Sequence, residues 1–216
     1  MNLKRGIKEA LGRVAGLITR TLLTEKMRFV HNSWHYSWPL TPDVCPCDVH
    51  FCEYLEEHQI RERSIFHFGS GGHHLLGLRN RDGGLDNEIL AITASPAEHA
   101  QYVSQVIRSP ALGRHYRVLF SDIYELGAAS LPTFDMATLF HLCEFADSVP
   151  RPRRLDDRLL LDLFVSKVVP GGRLLFYSGS YGYRAARPLI ERAVAEGRLS
   201  FLETWKSLVV YRVCSP

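Results

Sequence analysis

Short apolar runs alternate with segments of helical spacing along most of this chain. Five runs of apolar and β-branched residues, each bounded by turn residues, have the length of buried strands: residues 64–68, 88–93, 116–120, 134–140 and 173–177. The segments between them have the apolar spacing of amphipathic helices. Strands and helices that alternate in this way predict βαβ units, in which a parallel sheet is covered on both faces.

The predicted helices have recognisable ends. Ser95 precedes Pro96, and Glu98 follows at the position that closes a capping box, so a helix is predicted from there to about residue 107. Further helices are predicted over residues 48–60, 155–168 and 184–196. The helix over 155–168 ends in a Val-Pro-Gly-Gly sequence, a stop signal that leads into the fifth strand.

The last two apolar runs, residues 199–205 and 207–213, are separated by Lys206 alone. A parallel connection needs a crossover of about a dozen residues or more, so these two strands must pair antiparallel as a terminal hairpin. One strand of the sheet then runs opposite to the others. The pattern predicts a seven-stranded, mostly parallel sheet within residues 63–216.

An amphipathic helix is predicted near residues 3–24, ahead of the sheet. Its apolar positions are Leu3, Ile7, Leu11, Val14, Ile18 and Leu22. This stripe can pack on the rest of the protein, on a membrane surface, or on a partner or second copy of the chain, and the sequence leaves these alternatives open. With an aromatic connector over 29–44, this helix makes residues 1–62 a helical N-terminal cap.

Composition and charge limit the classes of partner. The chain is 46% hydrophobic and 23% charged, which is ordinary for a globular domain. Its net charge is +3, but residues 1–28 hold a surplus of five positive charges, which leaves −2 for the remainder. We therefore expect no nucleic-acid partner. No run is long and apolar enough to span a bilayer, and the five cysteines are an odd number, so we expect a cytoplasmic protein with reduced thiols and no membrane insertion.

The first predicted strand ends in a glycine-rich loop, Gly69-Ser70-Gly71-Gly72-His73-His74. In an open parallel sheet, ligands bind beyond the carboxyl ends of the strands, where the strand order reverses. Glycines there let a ligand approach backbone N–H groups. The dinucleotide fingerprint needs a glycine where His74 stands and an acid at the end of the second strand, so a nicotinamide reductase is disfavoured. A phosphate-gripping Lys or Arg is absent from the loop before Arg79, which disfavours other nucleotides.

The order of these motifs resembles the class I S-adenosylmethionine-dependent methyltransferases over about residues 63–214. Gly69 and Gly71 match the family's glycine-rich turn, and Asp122 stands where its third strand leads to the acid that binds the adenine amine. The Phe134-Asp135 strand and the Val-Pro-Gly-Gly turn resemble the family's fourth strand and its turn into the fifth. The resemblance implies a Rossmann-like three-layer sandwich with a C-terminal antiparallel hairpin strand, and S-adenosylmethionine as the cofactor.

The resemblance also implies a set of cofactor-binding residues: His67, Gly69, Ser70, Gly71, Gly72, Thr93, Ala94, Asp122, Ile123 and Phe140. His67 and Thr93 stand where the family has two acids, one near the methionine amino group and one on the ribose hydroxyls. A neutral contact to a hydroxyl contributes about 0.5–1.5 kcal/mol, whereas a charged acceptor contributes about 1.5–3 kcal/mol. We therefore expect a weakened cofactor site.

His141, just past the fourth strand, is the predicted catalytic residue. Its unperturbed pKa near 6.5 suits a general base that removes a proton from the acceptor; a structural histidine is the alternative. Tyr36, Trp38 and Glu144 are predicted to contact the substrate, the two aromatic residues from a lid segment and Glu144 as an orienting group or amine contact. Plain packing and a solvated glutamate are the alternatives.

A cysteine-rich segment raises the question of a metal. Cys45, Cys47, His50 and Cys52 place four soft ligands within eight residues. Structural zinc sites usually combine two separated ligand pairs, and here all four would come from one tight loop that enters a helix. We predict no metal site.

These observations predict a methyltransferase that acts on a small molecule, natural products included, at an oxygen or nitrogen atom. The alternative is a non-catalytic binding or scaffold protein of the same fold, whose degenerate cofactor site records the loss of the two acids. The two differ in one measurable property, the binding of S-adenosylmethionine or its demethylated product.

Overall fold

The computed structural model describes residues 37–145 and 154–215. The helix predicted near residues 3–24 and the lid residue Tyr36 lie outside the described residues. In the described residues, seven strands form one sheet in the order β3-β2-β1-β4-β5-β7-β6. The strands are β1 (Ser64–Phe68), β2 (Glu88–Thr93), β3 (Tyr116–Phe120), β4 (Phe134–Thr138), β5 (Val168–Tyr177), β6 (Leu199–Trp205) and β7 (Leu208–Val213).

Helices connect the strands and cover the sheet. They are α1 (Cys47–Glu57), α2 (Leu75–Asp82), α3 (Pro96–Arg108), α4 (Leu112–His115), α5 (Asp157–Lys167) and α6 (Tyr183–Ala195), with 3₁₀ turns at Ile123–Glu125 and Ala128–Ser130. No helix among the residues described is long and apolar enough to cross a membrane.

The predicted topology is confirmed. Strands β1 to β5 are parallel to one another, and β7 runs antiparallel between β5 and β6. The first three strands have the predicted bounds. Strand β4 ends two residues before the predicted boundary, and β5 begins five residues before its predicted start. The register between β4 and β5 shifts between Phe134 and Met136, so the Pro-Gly-Gly sequence is part of an irregular strand instead of a turn.

Two hydrophobic clusters fill the two faces of the sheet. Phe66 packs with Phe164 of α5 and Ile190 of α6 on one face. On the other face, Ile65 packs with Phe51 of α1 and with residues of α2 and α4. Adjacent residues of β1 are thus buried on opposite faces, which is why a parallel strand reads as a continuous apolar run. These clusters make the fold a three-layer α/β/α sandwich, as predicted.

Helix α1 belongs to this packed unit. Its residues Phe51, Tyr54 and Leu55 are completely buried. The prediction assigned α1 to an N-terminal cap that ends at residue 62. That boundary stays a prediction, but the helix on its N-terminal side contributes directly to the core of the sheet domain.

Candidate active site

The strand order reverses between β1 and β4. From β1 the chain continues to β2 on one side, and from β4 to β5 on the other. His67 and Thr138 are paired across this point, and His67 Nδ1 lies 2.9 Å from Thr138 Oγ1. The loops that follow these two strands meet at the carboxyl edge of the sheet, where this class of fold binds its ligands.

Two glycines in the loop after β1 have a left-handed backbone conformation. Gly69 has φ 89° and Gly71 has φ 53°, a region that side chains with a Cβ rarely adopt. The His141 ring lies over Gly69, and a Cβ at Gly69 would be 3.4 Å from His141 Cδ2. Ser70 Oγ is buried and has no hydrogen-bond partner in the described part of the chain. The loop thus combines open backbone with an unsatisfied hydroxyl.

A carboxylate from α1 reaches the end of β1. Asp48 lies in the first turn of α1. Its Oδ1 is 3.4 Å from His67 Nε2, and its Oδ2 is 3.5 Å from His73 Nε2. Burial by itself would raise the pKa of Asp48, but the charges of His67 and His73 outweigh it, so the pKa lies below its usual value. His67 also stacks on Phe51 with the two ring planes 10° apart.

A second buried carboxylate lies at the end of β2. Thr93 Oγ1 donates a hydrogen bond of 2.5 Å to Glu98 Oε2. Glu98 Oε1 accepts a bond of 3.0 Å from the backbone N–H of Trp38. Burial raises the pKa of Glu98 although the Thr93 bond opposes this shift. Ser95 Oγ accepts from the Glu98 N–H, so the predicted helix start is confirmed, and the Glu98 side chain has a further role at the strand end.

The segment around Trp38 passes over the glycine loop. Trp38 accepts a hydrogen bond of 3.0 Å from the Gly72 N–H through its carbonyl oxygen, and Ser37 Oγ donates to Gln101. Trp38 as a whole is 61% exposed. The predicted lid residue therefore contacts the glycine loop through its main chain, and most of its surface is exposed to solvent.

The remaining predicted cofactor residues lie at the same edge. Asp122 caps the 3₁₀ turn after β3, where its side chain accepts from the Tyr124 N–H. Ile123 is 4% exposed within the core, and Ala94 is half-buried between β2 and α3. Phe140 is buried against Phe51 and His67. Asp122 and Ala94 thus remain accessible at the predicted edge, whereas Phe140 supports the site from beneath.

His141 and Glu144 form a linked pair after β4. His141 Nδ1 lies 3.0 Å from Glu144 Oε2, and Ser180 Oγ donates to the other carboxylate oxygen. Burial lowers the pKa of His141, but the Glu144 carboxylate outweighs it and raises the pKa above the usual value. The same pairing holds the pKa of Glu144 below its usual range against the opposing effect of burial. Glu144 thus holds the His141 ring through Nδ1.

Two cysteines lie beside this pair. Cys45 Sγ and Cys47 Sγ are 3.3 Å apart, on either side of the residue that caps α1. The hydrogen bond from Cys47 lowers the pKa of Cys45 to about 6, although burial opposes the shift. Burial and this bond raise the pKa of Cys47. Cys45 is therefore the thiol that ionises first.

The structure brings the predicted residues of β1, β2, β3 and β4 to one edge, and it adds two that the sequence analysis missed. Asp48 was part of an ordinary predicted helix, and Glu98 was assigned only to a capping box. An acid in the first turn of each helix was the available signal, but neither position revealed that its side chain points to a strand end.

Neither a protein-family model nor a curated protein sequence matches the chain. Solved structures do match it, and they agree on the fold. The CcbJ methyltransferase from Streptomyces caelestis matches with a TM-score of 0.58 and 11% identity over 82% of this chain and 94% of that one. An rRNA methylase from Streptococcus thermophilus matches with a TM-score of 0.51 and 11% identity over 78% of this chain and 97% of that one.

A third structure, an O-methyltransferase family protein from Burkholderia thailandensis, matches with a TM-score of 0.51 and 14% identity over 76% of this chain. The chain spans 55% of the length of that protein and 37% of coclaurine N-methyltransferase, another structure that it matches. The seven-stranded sheet with one reversed strand is therefore the class I methyltransferase fold. The names of these proteins refer to different methyl acceptors, so the fold alone does not identify the acceptor.

Proposed function

We propose that this chain is an S-adenosylmethionine-dependent methyltransferase whose acceptor is a small molecule. The observation that carries the proposal is the pair of buried carboxylates, Asp48 and Glu98. They lie at the ends of β1 and β2, next to His67 and Thr93, the two residues that stand where the resembling family has its acids. Two other elements of the fold thus bring carboxylates to the strand ends that lack them.

In this proposal the cofactor lies along the carboxyl edge of the sheet. The Gly69 to Gly72 loop faces its methionine part, and Ser70 Oγ supplies a buried hydroxyl without a partner in the described chain. Glu98 is the charged acceptor for the ribose hydroxyls, because its carboxylate already accepts from Thr93 and can accept further hydrogen bonds. Asp122 serves the adenine end from the turn after β3.

The acceptor lies on the side of His141. The Glu144 carboxylate fixes the orientation of the ring through Nδ1, so Nε2 is the atom that removes a proton from an oxygen or nitrogen acceptor. Methyl transfer also requires the acceptor to be held in line with the sulfonium carbon, and the close approach of the His141 ring to Gly69 supports this arrangement. The charge of −2 outside residues 1–28 favours a small acceptor over a nucleic acid.

Calorimetry with S-adenosylhomocysteine tests the proposal on the full-length chain. We expect binding in the micromolar range, about −8 kcal/mol. Gly71→Ala should abolish it, because a Cβ there strains a backbone with φ 53° and would lie 2.4 Å from His73 Nε2. Gly84→Ala is the matched control, since Gly84 has φ 58° with nothing within 4 Å of a Cβ. Wild-type binding no tighter than millimolar would support the scaffold alternative.

A further inference from the structure

We propose that Cys45, Cys47 and His141 form a Zn²⁺ site on the acceptor side of the candidate active site. One ligand atom from each residue lies within 4.8 Å of the other two. The two cysteines flank the start of α1, and His141 follows β4, so the three ligands come from two elements that the fold brings together. His141 is distant in sequence from the cysteine-rich segment, so no spacing along the chain predicts that it joins the two cysteines.

The cysteine pair has the spacing of a chelate. Its sulfur atoms are 3.3 Å apart. Two thiolates on a tetrahedral Zn²⁺, each with a bond of about 2.3 Å, are separated by about 3.8 Å. The sulfurs therefore need to move apart by only about half an ångström, which a rotation of the half-buried Cys45 side chain supplies. Cys47 stays fixed as the first residue of α1.

His141 is already oriented as a metal ligand. Metal-binding histidines usually donate their other ring nitrogen to a carboxylate, which fixes the tautomer and makes the ligating nitrogen more basic. Here Nδ1 is held by Glu144, and Glu144 is held in turn by Ser180. Nε2 is the remaining atom, and the His141 side chain is 24% exposed, so the site can be reached from solvent.

The surroundings suit a soft divalent ion with one open position. Asp48 Oδ1 is 3.5 Å from Cys47 Sγ, so the cysteine pair has a polar neighbour. Within residues 37–145 and 154–215, no fourth ligand atom of a His, Cys, Asp or Glu joins the group of three. Three protein ligands with a free fourth position are the arrangement of a catalytic zinc, not of a closed structural site.

This inference deepens the proposed function and rests on it only for the identity of the fourth ligand. In the proposed function His141 lies on the acceptor side, so a ligand in the open position would be the acceptor. An acceptor oxygen bound there would lose its proton more readily, because Zn²⁺ lowers the pKa of a bound hydroxyl. With the ion in place, Nε2 of His141 is a ligand, and the ion takes over the activation that the free imidazole provides in the metal-free protein.

Cobalt substitution tests the site. Full-length protein is treated with a chelator, kept reduced and titrated with Co²⁺. We expect one equivalent to bind, with the intense visible bands of a tetrahedral ion and a thiolate-to-cobalt charge-transfer band in the near ultraviolet. Zn²⁺ should displace the Co²⁺ and bleach both features, and competition with a chromophoric chelator then gives the Zn²⁺ affinity.

Variants locate the ligands. Cys45→Ser and Cys47→Ser should each remove the charge-transfer intensity of one thiolate and lower Zn²⁺ affinity by more than about 100-fold, and His141→Ala should lower the affinity without removing the band. Glu144→Gln, which leaves all three ligands in place, should cost about 10–100-fold. Cys52→Ser and Cys143→Ser are the matched controls, because these cysteines lie outside the group, and both should bind as the wild type does. Circular dichroism shows whether each variant is folded.

Three results would overturn the proposal: Co²⁺ spectra without a thiolate band, a Zn²⁺ dissociation constant weaker than about 10 μM, or folded Cys45→Ser and Cys47→Ser proteins that bind as tightly as the wild type. S-adenosylhomocysteine calorimetry on the same samples separates this proposal from the function. Protein that binds S-adenosylhomocysteine but not Zn²⁺ contradicts the metal site alone, and the reverse result contradicts the methyltransferase alone.

Discussion

Asp48 and His67 face each other where the start of α1 meets the end of β1, with Asp48 Oδ1 at 3.4 Å from His67 Nε2. Their side chains are 10% and 1% exposed. A carboxylate this deeply buried is stable only beside a compensating group. The contact therefore attaches α1 to the point where the strand order reverses, and it makes the N-terminal helix part of the candidate site.

Asp48→Asn is expected to lower the free energy of unfolding by about 3 kcal/mol, because it leaves His67 and His73 without their buried anion. S-adenosylhomocysteine binding should weaken as well if the carboxylate faces the methionine amino group. Urea denaturation and calorimetry measure the two effects. Asp43→Asn, in the exposed turn before α1, is the control and should change neither.

The lowered pKa of Asp48 also makes the stability of the folded protein depend on pH. A carboxyl whose pKa is lower in the folded state contributes stability above its unfolded value, 3.8, and this contribution is lost as the pH falls below that value. Asp48→Asn should therefore differ from the wild type most at pH 5 to 7 (about one unit or more above 3.8), and the difference should shrink toward pH 3. A constant difference down to pH 3 would show that the variant acts through packing.

Glu98→Gln should weaken S-adenosylhomocysteine binding by about tenfold, the difference between a charged and a neutral acceptor for the ribose hydroxyls. Isothermal titration calorimetry measures the change. Glu88→Gln is the matched control, because Glu88 begins the same strand at the opposite edge and pairs with Arg117 on the surface. Equal affinities for wild type and Glu98→Gln would remove Glu98 from the cofactor site.

Thr93→Asp should not restore affinity, although the sequence alone favours that change. The Thr93 hydroxyl lies 2.5 Å from the Glu98 carboxylate, so a second carboxylate there would face a buried like charge. We expect a folded but less stable protein with weaker S-adenosylhomocysteine binding, seen in thermal melts and calorimetry. Tighter binding would show that Glu98 turns away when the cofactor enters.

His141→Ala, assayed in chelator-treated protein with a panel of small oxygen and nitrogen nucleophiles, should lower turnover by about 10²- to 10⁴-fold. S-adenosylhomocysteine affinity should stay almost unchanged, because His141 serves the acceptor side. Glu144→Gln should lower kcat less and leave the KM for S-adenosylmethionine unchanged. His115→Ala is the control on the surface. A His141→Ala protein with full turnover would leave proximity alone to explain the rate.

The buried His74 should make the stability of the folded protein sensitive to acid. Its Nε2 donates to the Glu98 carbonyl at 3.0 Å, and its Nδ1 accepts from the Tyr116 hydroxyl at 3.1 Å, an arrangement that fits the neutral ring. Burial lowers the pKa of His74 to about 4. The unfolded state therefore binds more protons below pH 6.5, and stability should fall by up to about 3 kcal/mol as the pH drops from 6.5 to 4.

Urea denaturation from pH 7 to pH 4 measures this loss. His74→Asn should be less stable at pH 7 but should show a flatter dependence on pH, since asparagine does not titrate and tolerates the left-handed backbone at this position, φ 47°. His115→Asn, at an exposed histidine, should follow the wild-type curve. The same slope in all three proteins would assign the acid sensitivity to other groups.

Most of the fold could be predicted because its signals are local. The first three strands are apolar runs between turn residues, and the single residue between the last two runs forced an antiparallel hairpin. The start of β5 was missed because Pro170 and Gly171 read as a stop, whereas pairing with β4 carries the strand through them.

Only those residues of the candidate site that lie at the ends of strands could be predicted from the sequence. Gly69, Thr93, Asp122 and His141 each lie at the end of a strand or within three residues after it, so topology alone places them at one edge. Asp48 lies in a helix that precedes β1 in the chain, and its contact with His67 depends on how α1 packs. No spacing in the sequence encodes that packing, and the same reason hid the approach of His141 to the cysteine pair.

The main chain of Trp38 connects the glycine loop with Glu98, since its carbonyl oxygen accepts from the Gly72 N–H and its N–H donates to Glu98 Oε1. The first contact is at the methionine end of the proposed cofactor site and the second is at the ribose end. A cofactor that used both groups would therefore compete with the backbone of this one residue at both ends of the proposed site.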